Sequence, residues 1–251
     1  MKVYVSTSNK GLHIVEAFQH LFNKYWATDQ EVVILGWDQP PDFELAPNFQ
    51  FISLGKDTGP KIGGALIDYF SGVDEESFIY TVDSQLVIRP VALELFDYLV
   101  HVFENSDRIG RISLVGNHEK GRPHQSLVLQ KSPGFALVEH HQDAAYKMSA
   151  VWSIWSKGYF LKYMQPDWDL WQWETEGSER AKHDGIQILS TFDKYVITPC
   201  RIYKRGRLHA ESFRSWDKHG LEMLEEDQEF VRPLLHGPTW TAAGEAIEWA
   251  N

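Results

Sequence analysis

Apolar positions in the first 115 residues alternate between short unbroken runs and helically spaced stripes. Val3-Tyr4-Val5, Val32-Val33-Ile34-Leu35 and Phe78-Ile79-Tyr80-Thr81-Val82 are continuous, as expected of strands covered on both faces. Between them Leu12, Val15, Phe18, Leu21, Phe22 and Tyr25 form a stripe. So do Ile62, Ala65, Leu66, Tyr69 and Phe70, and then Val91, Leu95, Phe96, Leu99 and Phe103. The pattern predicts strands at 2–6, 31–36, 48–54, 77–82 and 111–115. It predicts helices at 11–25, 61–71 and from Pro90, a residue suited to a first helical turn. The second half is less regular. It reads as a polar loop at 116–125, a hairpin of 125–130 and 134–139, and helices at 153–164, 177–190 (Ser178 as cap) and 221–235. A strand at 195–203 is interrupted by Pro199. The whole predicts an α/β fold with a mainly parallel central sheet, helices on both faces and a smaller antiparallel region.

Ligands of such sheets bind at the carboxyl ends of the strands. Those ends read Ser6-Thr7-Ser8, Trp37-Asp38, Gly55-Lys56-Asp57, Asp83-Ser84-Gln85 and Gly116-Asn117-His118. Any one could be polar only because loops face water; the run of them along one edge favours a site. Asp83 directly follows a buried-looking strand. A carboxylate there can hold a divalent cation that in turn holds a diphosphate, or it can cap its own turn.

Composition narrows the partners. Lys and Arg total 24 against 35 Asp and Glu, a formal charge of −11. Such a chain is poorly suited to general nucleic-acid binding. The single Cys200 cannot form an intrachain disulfide or a cysteine-based zinc site. No targeting stretch or membrane-length apolar run is present, so the chain reads as soluble and cytoplasmic. Phosphate-loop, Gly-x-Gly-x-x-Gly and Gly-x-Ser-x-Gly signatures are missing.

Three further features carry chemistry. Trp152, Trp155, Trp168, Trp171 and Trp173 cluster within one stretch; Trp152 and Trp155 would share a helix face that reads as core, whereas Trp168, Trp171 and Trp173 alternate with polar residues and suit a sugar ring. Glu174 follows bulky apolar groups that raise a carboxyl's proton affinity, which suits a general base; with Glu176 it would otherwise serve the helix dipole. Residues 194–218 hold seven Lys or Arg (Lys194, Arg201, Lys204, Arg205, Arg207, Arg214, Lys218) against Glu211 and Asp217. That stretch is either a phosphate-recognising segment or a solvated surface. His209 within it is a weak metal-ligand candidate.

Four segments, in order, resemble GT-A type glycosyltransferases, in particular the small bacterial and viral enzymes that build surface polysaccharides. They are Val3-Tyr4-Val5-Ser6-Thr7-Ser8; Ile52-Ser53-Leu54-Gly55-Lys56-Asp57; Phe78-Ile79-Tyr80-Thr81-Val82-Asp83 with Pro90-Val91; and Tyr146 to Trp155 running into Trp171-Gln172-Trp173-Glu174. The resemblance implies a single GT-A-like domain over 1–251, with a nucleotide-binding half at 1–118 and an acceptor-side half with the C-terminal helix at 119–251. It implies a UDP- or GDP-linked sugar donor, a glycan or other hydroxyl acceptor, and an inverting transfer. Ser6, Thr7, Asp57 and Lys61 would hold the nucleotide, and Asp83 the metal, Mn or Mg. Trp152, Trp155, Trp171 and Trp173 would shape the sugar and acceptor sites, and Glu174 would be the base. The family's Asp-x-Asp reads Asp83-Ser84-Gln85 here, which weakens the metal or makes it dispensable. Arg201, Lys204, Arg205 or Arg207 would then neutralise the diphosphate. The departure leaves room for a sugar-binding protein without catalysis on the same scaffold. A hydrolase using Glu174 and Glu176 is a more distant alternative.

Overall fold

The computed structural model describes residues 1–116, 127–204, 207–208, 213–215 and 220–234, with 204, 207 and 208 described in backbone only. The elements begin with β1 (Val3–Ser6), α1 (Leu12–Tyr25, entered through a 3-10 turn at Asn9–Gly11), β2 (Val32–Gly36) and β3 (Phe49–Ser53). There follow α2 (Gly63–Ser71), β4 (Ser77–Val82), β5 (Gln85–Val87), α3 (Leu93–Glu104) and β6 (Ile109–Ser113). Next come the hairpin β7 (Leu127–Ser132) and β8 (Phe135–Glu139), then β9 (Ser153–Ser156) and α4 (Lys157–Lys162). One contiguous helical run comprises α5 (Leu170–Gln172), a π turn (Trp173–Gly177) and α6 (Ser178–Arg180). The described chain closes with β10 (Gln187–Phe192), β11 (Pro199–Arg201), β12 (Tyr203–Lys204), β13 (Arg207–Leu208) and α7 (Glu225–Leu234).

Nine strands form one sheet in the order β3-β2-β1-β4-β9-β6-β10-β8-β7. β1 to β4, β6, β7 and β10 run one way, and β8 and β9 run against them. Side chains alternate across the sheet. Val3 and Val5 face a core built with α1 and α3, while Tyr4 faces a second core built with α2 and α4. Phe78 and Tyr80 join the second core and Ile79 the first. Helices therefore cover both faces, as the apolar runs require. α7 docks on α1, where the buried Asp227 accepts from Lys24 Nζ at 2.6 Å and from the Tyr25 hydroxyl.

Two expected elements change identity. Residues 153–156 are not helical. They form β9, inserted antiparallel between β4 and β6, with Ser153 opposite Tyr80 and Ser113. Three positions along an extended chain lie on opposite faces, so Trp152 and Trp155 do not share one. Trp152 enters the first core and Trp155 the second. The helix expected over 177–190 ends at Arg180, and Gln187–Phe192 is a strand; pairing with β6 and β8 overrides a weak local pattern. Pro90 lies before the first turn of α3, which starts at Leu93. β5, paired with β11, was hidden by its brevity. The loop expected over 116–125 falls almost wholly outside the described residues.

Candidate active site

Because β9 runs backwards, the segment entering it, residues 146–152, lies at the carboxyl ends of its parallel neighbours β4 and β6. This brings a second-half segment to the edge where Ser6, Thr7 and Asp83 sit. Thr7 Oγ1 donates to Asp83 Oδ2 at 2.6 Å, and the Asp83 N–H donates to Ser6 O at 3.1 Å. Ser6 Oγ and the Tyr80 hydroxyl share a 2.7 Å hydrogen bond. Gly11 makes this packing possible: a Cβ there would lie 2.3 Å from Asp83 Oδ2 and 3.0 Å from Thr7 Oγ1. Burial pushes the Asp83 carboxyl up to about 6, against the Thr7 hydroxyl and the Ser84 N–H, which favour the charged form. Tyr203 closes one side; its hydroxyl meets His13 Nε2 at 3.3 Å. Burial and then the Asp83 charge hold the Tyr203 hydroxyl above the ordinary phenol value.

Glu174 lies in the π turn, an irregularity common at functional positions in helices. Its Oε1 accepts from the Ala150 N–H at 2.7 Å and the Ser149 hydroxyl at 3.2 Å. Oε2 accepts no hydrogen bond among the described residues. Burial raises the carboxyl's proton affinity. The Ala150 N–H, the Arg201 charge, the Ser149 hydroxyl and the Arg111 charge offset this only in part. The Tyr80 hydroxyl feels both carboxylates: after burial and its Ser6 bond, the charges of Glu174 and Asp83 both push it up. One oxygen of Glu174 is thus pinned and the other takes no hydrogen bond among the described residues, an arrangement suited to taking a proton from a hydroxyl.

Buried charges hold the segment in place. Arg111 donates from Nε to Ser153 Oγ at 2.9 Å, and from Nη1 to Tyr146 O at 2.9 Å and Lys147 O at 3.2 Å. Burial pulls its guanidinium down to about 10. Lys147 Nζ meets Asp184 Oδ1 at 2.9 Å and Ala181 O at 2.7 Å, with side chains 1% and 7% exposed. Ser178 is not a helix cap. Its hydroxyl accepts from the Met148 N–H at 2.9 Å and donates to Glu174 O at 2.5 Å, joining the segment to the π turn.

The remaining candidates separate. Trp152, Trp155 and Trp173 are fully buried, so the sugar-facing role expected of them has no accessible ring to act through. Trp152 packs on Phe18, Phe22 and Trp26, and its indole N–H donates to Gln85 O at 2.9 Å. Trp173 lies 5.3 Å from Trp155 and 4.8 Å from Phe160, ring centre to ring centre. Trp171 is 61% exposed. Asp57 accepts from the Gly59 N–H at 2.6 Å within its own turn, and Lys61 is exposed. Beside them, the first N–H groups of α2 are already taken: Gly63 donates to Trp168 O and Gly64 to Pro166 O, both at 2.9 Å. Arg205 and His209 lie outside the described residues, as do the side chains of Lys204 and Arg207. Arg201 is exposed on β11, opposite Gln85, and acts electrostatically on Glu174. Sequence reasoning missed Gly11, Tyr80, Arg111 and Tyr203, whose roles depend on neighbours more than 40 positions away.

No protein-family model and no curated protein sequence matches the chain. Among solved structures, it is similar to the mannosyltransferase PcManGT from Pyrobaculum calidifontis in complex with GDP-Man and Mn2+. That likeness is 13% identical, with a TM-score of 0.48, over 82% of this chain and 57% of that one. It is similar to a fragment of S. aureus TarS in complex with UDP (14% identical, 78% and 59% covered, TM-score 0.47). It is also similar to CMP:2-keto-3-deoxy-manno-octonic acid synthetase complexed with CTP (15% identical, 79% and 91% covered, TM-score 0.46). The chain spans under three-fifths of the length of the first two. At these identities the likeness is one of fold, and the chemistry rests on the site's own residues.

A divalent cation was expected at Asp83. Hard cations of this kind take six or more oxygens. Asp83 brings one carboxylate, already bonded to Thr7, and no group of three His, Cys, Asp or Glu stands together among the described residues. The protein alone does not cage a cation among the described residues; one would be held by Asp83 together with water and the diphosphate's own oxygens, as is usual for Mg²⁺.

Proposed function

We propose that this chain is a glycosyltransferase. It would move a sugar from a nucleoside diphosphate donor to a hydroxyl acceptor with inversion. The observation that carries the reading is Glu174: one oxygen fixed by Ala150 and Ser149, the other without a hydrogen bond among the described residues, and the carboxyl's proton affinity raised by burial. The acceptor hydroxyl gives its proton to Oε2 as its oxygen bonds to the anomeric carbon. The bond from that carbon to the diphosphate breaks, and the electron pair leaves with the diphosphate. Ser6, Thr7 and Asp83 line the donor side. Arg201 brings positive charge to the same edge, where an anionic leaving group needs it.

Melting measurements with UDP and GDP, each alone and with Mn²⁺ or Mg²⁺, test the reading. A nucleotide at 100 times its Kd stabilises by about 2.7 kcal/mol, which at this chain length raises Tm by about 5–10 °C. No shift in any arm refutes the proposal. A second reading, sugar binding without transfer, draws on the single carboxylate of Asp83-Ser84-Gln85. It requires glycan binding with no donor turnover.

A further inference from the structure

Of the four tryptophans expected to face a sugar, Trp171 alone is exposed, and it has an aromatic companion. Tyr146 is 41% exposed, with its ring centre 6.3 Å from that of Trp171 and the planes tilted by 57°. Single scattered rings need no explanation, whereas apolar surface gathered in one place and rimmed by polar groups marks binding sites.

The backbone enforces this display. Tyr146 has φ +58°, a left-handed conformation that a tyrosine rarely adopts. It is held by the Arg111 bond to its carbonyl and by the buried Lys147–Asp184 pair at the next residue. Strain of this kind persists where surroundings over-determine it, and it concentrates at ligand clamps. Trp171 stands one helical turn before Glu174, with its carbonyl accepting from the Thr175 hydroxyl at 2.8 Å. The segment that carries Tyr146 also supplies Ser149 and Ala150, which pin Glu174. The ring pair and the carboxylate therefore share both of their supports.

The geometry points to an acceptor subsite in which a pyranose ring of a glycan lays its C–H face on Tyr146 and Trp171 and offers a hydroxyl to Glu174. Aromatic walls with a few placed polar groups suit such a ring. The inference rests on the transferase reading and names its acceptor class as a saccharide.

The test is NMR of the full chain with ¹⁵N-labelled indoles, using Trp171→Phe to assign the Trp171 signal. Cellobiose, lactose, chitobiose and mannobiose are the probes, at up to ~50 mM for millimolar affinities. At least one should shift the Trp171 signal. Binding, read in the variants by calorimetric titration with the same disaccharide, should weaken about tenfold in Trp171→Ala and in Tyr146→Gly. Both variants should keep the wild-type melting temperature, since one ring is exposed and glycine relieves the positive φ. No shift with any disaccharide overturns the subsite, as does undiminished binding in both variants. UDP and GDP melting shifts on the same preparation separate the two claims. A nucleotide response without a saccharide response sinks the subsite alone. A saccharide response without a nucleotide response removes its role as an acceptor site in a transferase.

Discussion

Replacing Glu174 by glutamine separates chemistry from fold because of how its two oxygens are used. Both hydrogen bonds, from the Ala150 N–H and the Ser149 hydroxyl, end on Oε1. The amide oxygen can accept both, and the amide nitrogen replaces the free Oε2. Glu174→Gln should therefore leave the segment in place while removing the proton acceptor, a loss of roughly 100- to 10,000-fold in turnover. Stability should move the other way. Burial raises the Glu174 pKa, so the folded state favours the protonated carboxyl. That contribution is full below the unfolded carboxylate pKa and is lost as pH rises through the folded value. Glutamine escapes that loss and should melt no lower than wild type at neutral pH. Glu174→Ala is the contrast: it leaves the buried Ala150 N–H without its partner. That costs about 1–3 kcal/mol, or roughly 2–12 °C in Tm. The assay is donor turnover with an accepted acceptor, beside nucleotide-dependent melting. Turnover of Glu174→Gln within about fivefold of wild type, with donor binding kept, would refute the general-base role.

Three further outcomes follow from the same geometry. Asp83→Asn should melt above wild type at pH 7.5. The folded-state pKa of about 6 lies above the ordinary 3.8, so the wild type loses stability as pH rises through 6; the gap should close below pH ~4, and a pH-independent difference would contradict the buried-carboxyl account. Lys147→Met strands Asp184 in a site only 7% exposed; the expected cost is about 3–5 kcal/mol, read by urea unfolding, and a cost under about 1 kcal/mol would mean the pair does not anchor the segment. Trp173→Ala should cost about 3–5 kcal/mol whereas Trp171→Ala should stay within about 0.5 kcal/mol; the reverse order in urea melts would invalidate the division into core and surface rings.

The local pattern was sufficient where a segment is covered on both faces by its sequence neighbours. β1 to β4 and the helices α1 to α3 are legible in the unbroken apolar runs and the stripes between them, because helix and strand periods differ and both repeat enough to be recognised. Asp83 was legible for the same reason: it follows the last apolar residue of β4, and the edge of a parallel sheet is a general ligand position. Glu174 was legible from its bulky neighbours, though not the turn that bends it toward Ala150 or the division of labour between its oxygens.

What required the assembled chain is pairing between distant segments. Whether Ser153–Ser156 is helix or strand depends on the gap between β4 and β6, which that segment alone does not encode. Four apolar and polar positions satisfy either period, and the backbone groups of two neighbouring strands settle the choice. Once β9 fills the gap, Trp152 and Trp155 must point to opposite cores, and residues 146–150 must lie at the carboxyl ends of β4 and β6. The aromatic cluster then divides by burial rather than by spacing: Trp152, Trp155 and Trp173 hold the fold together, and Trp171 is left facing water beside Tyr146. Residue types along the chain determined the first four strands, the helices between them and the polar edge at their carboxyl ends. Long-range pairing decided which polar groups meet there, because hydrogen bonds and desolvation act between neighbours in space rather than in sequence.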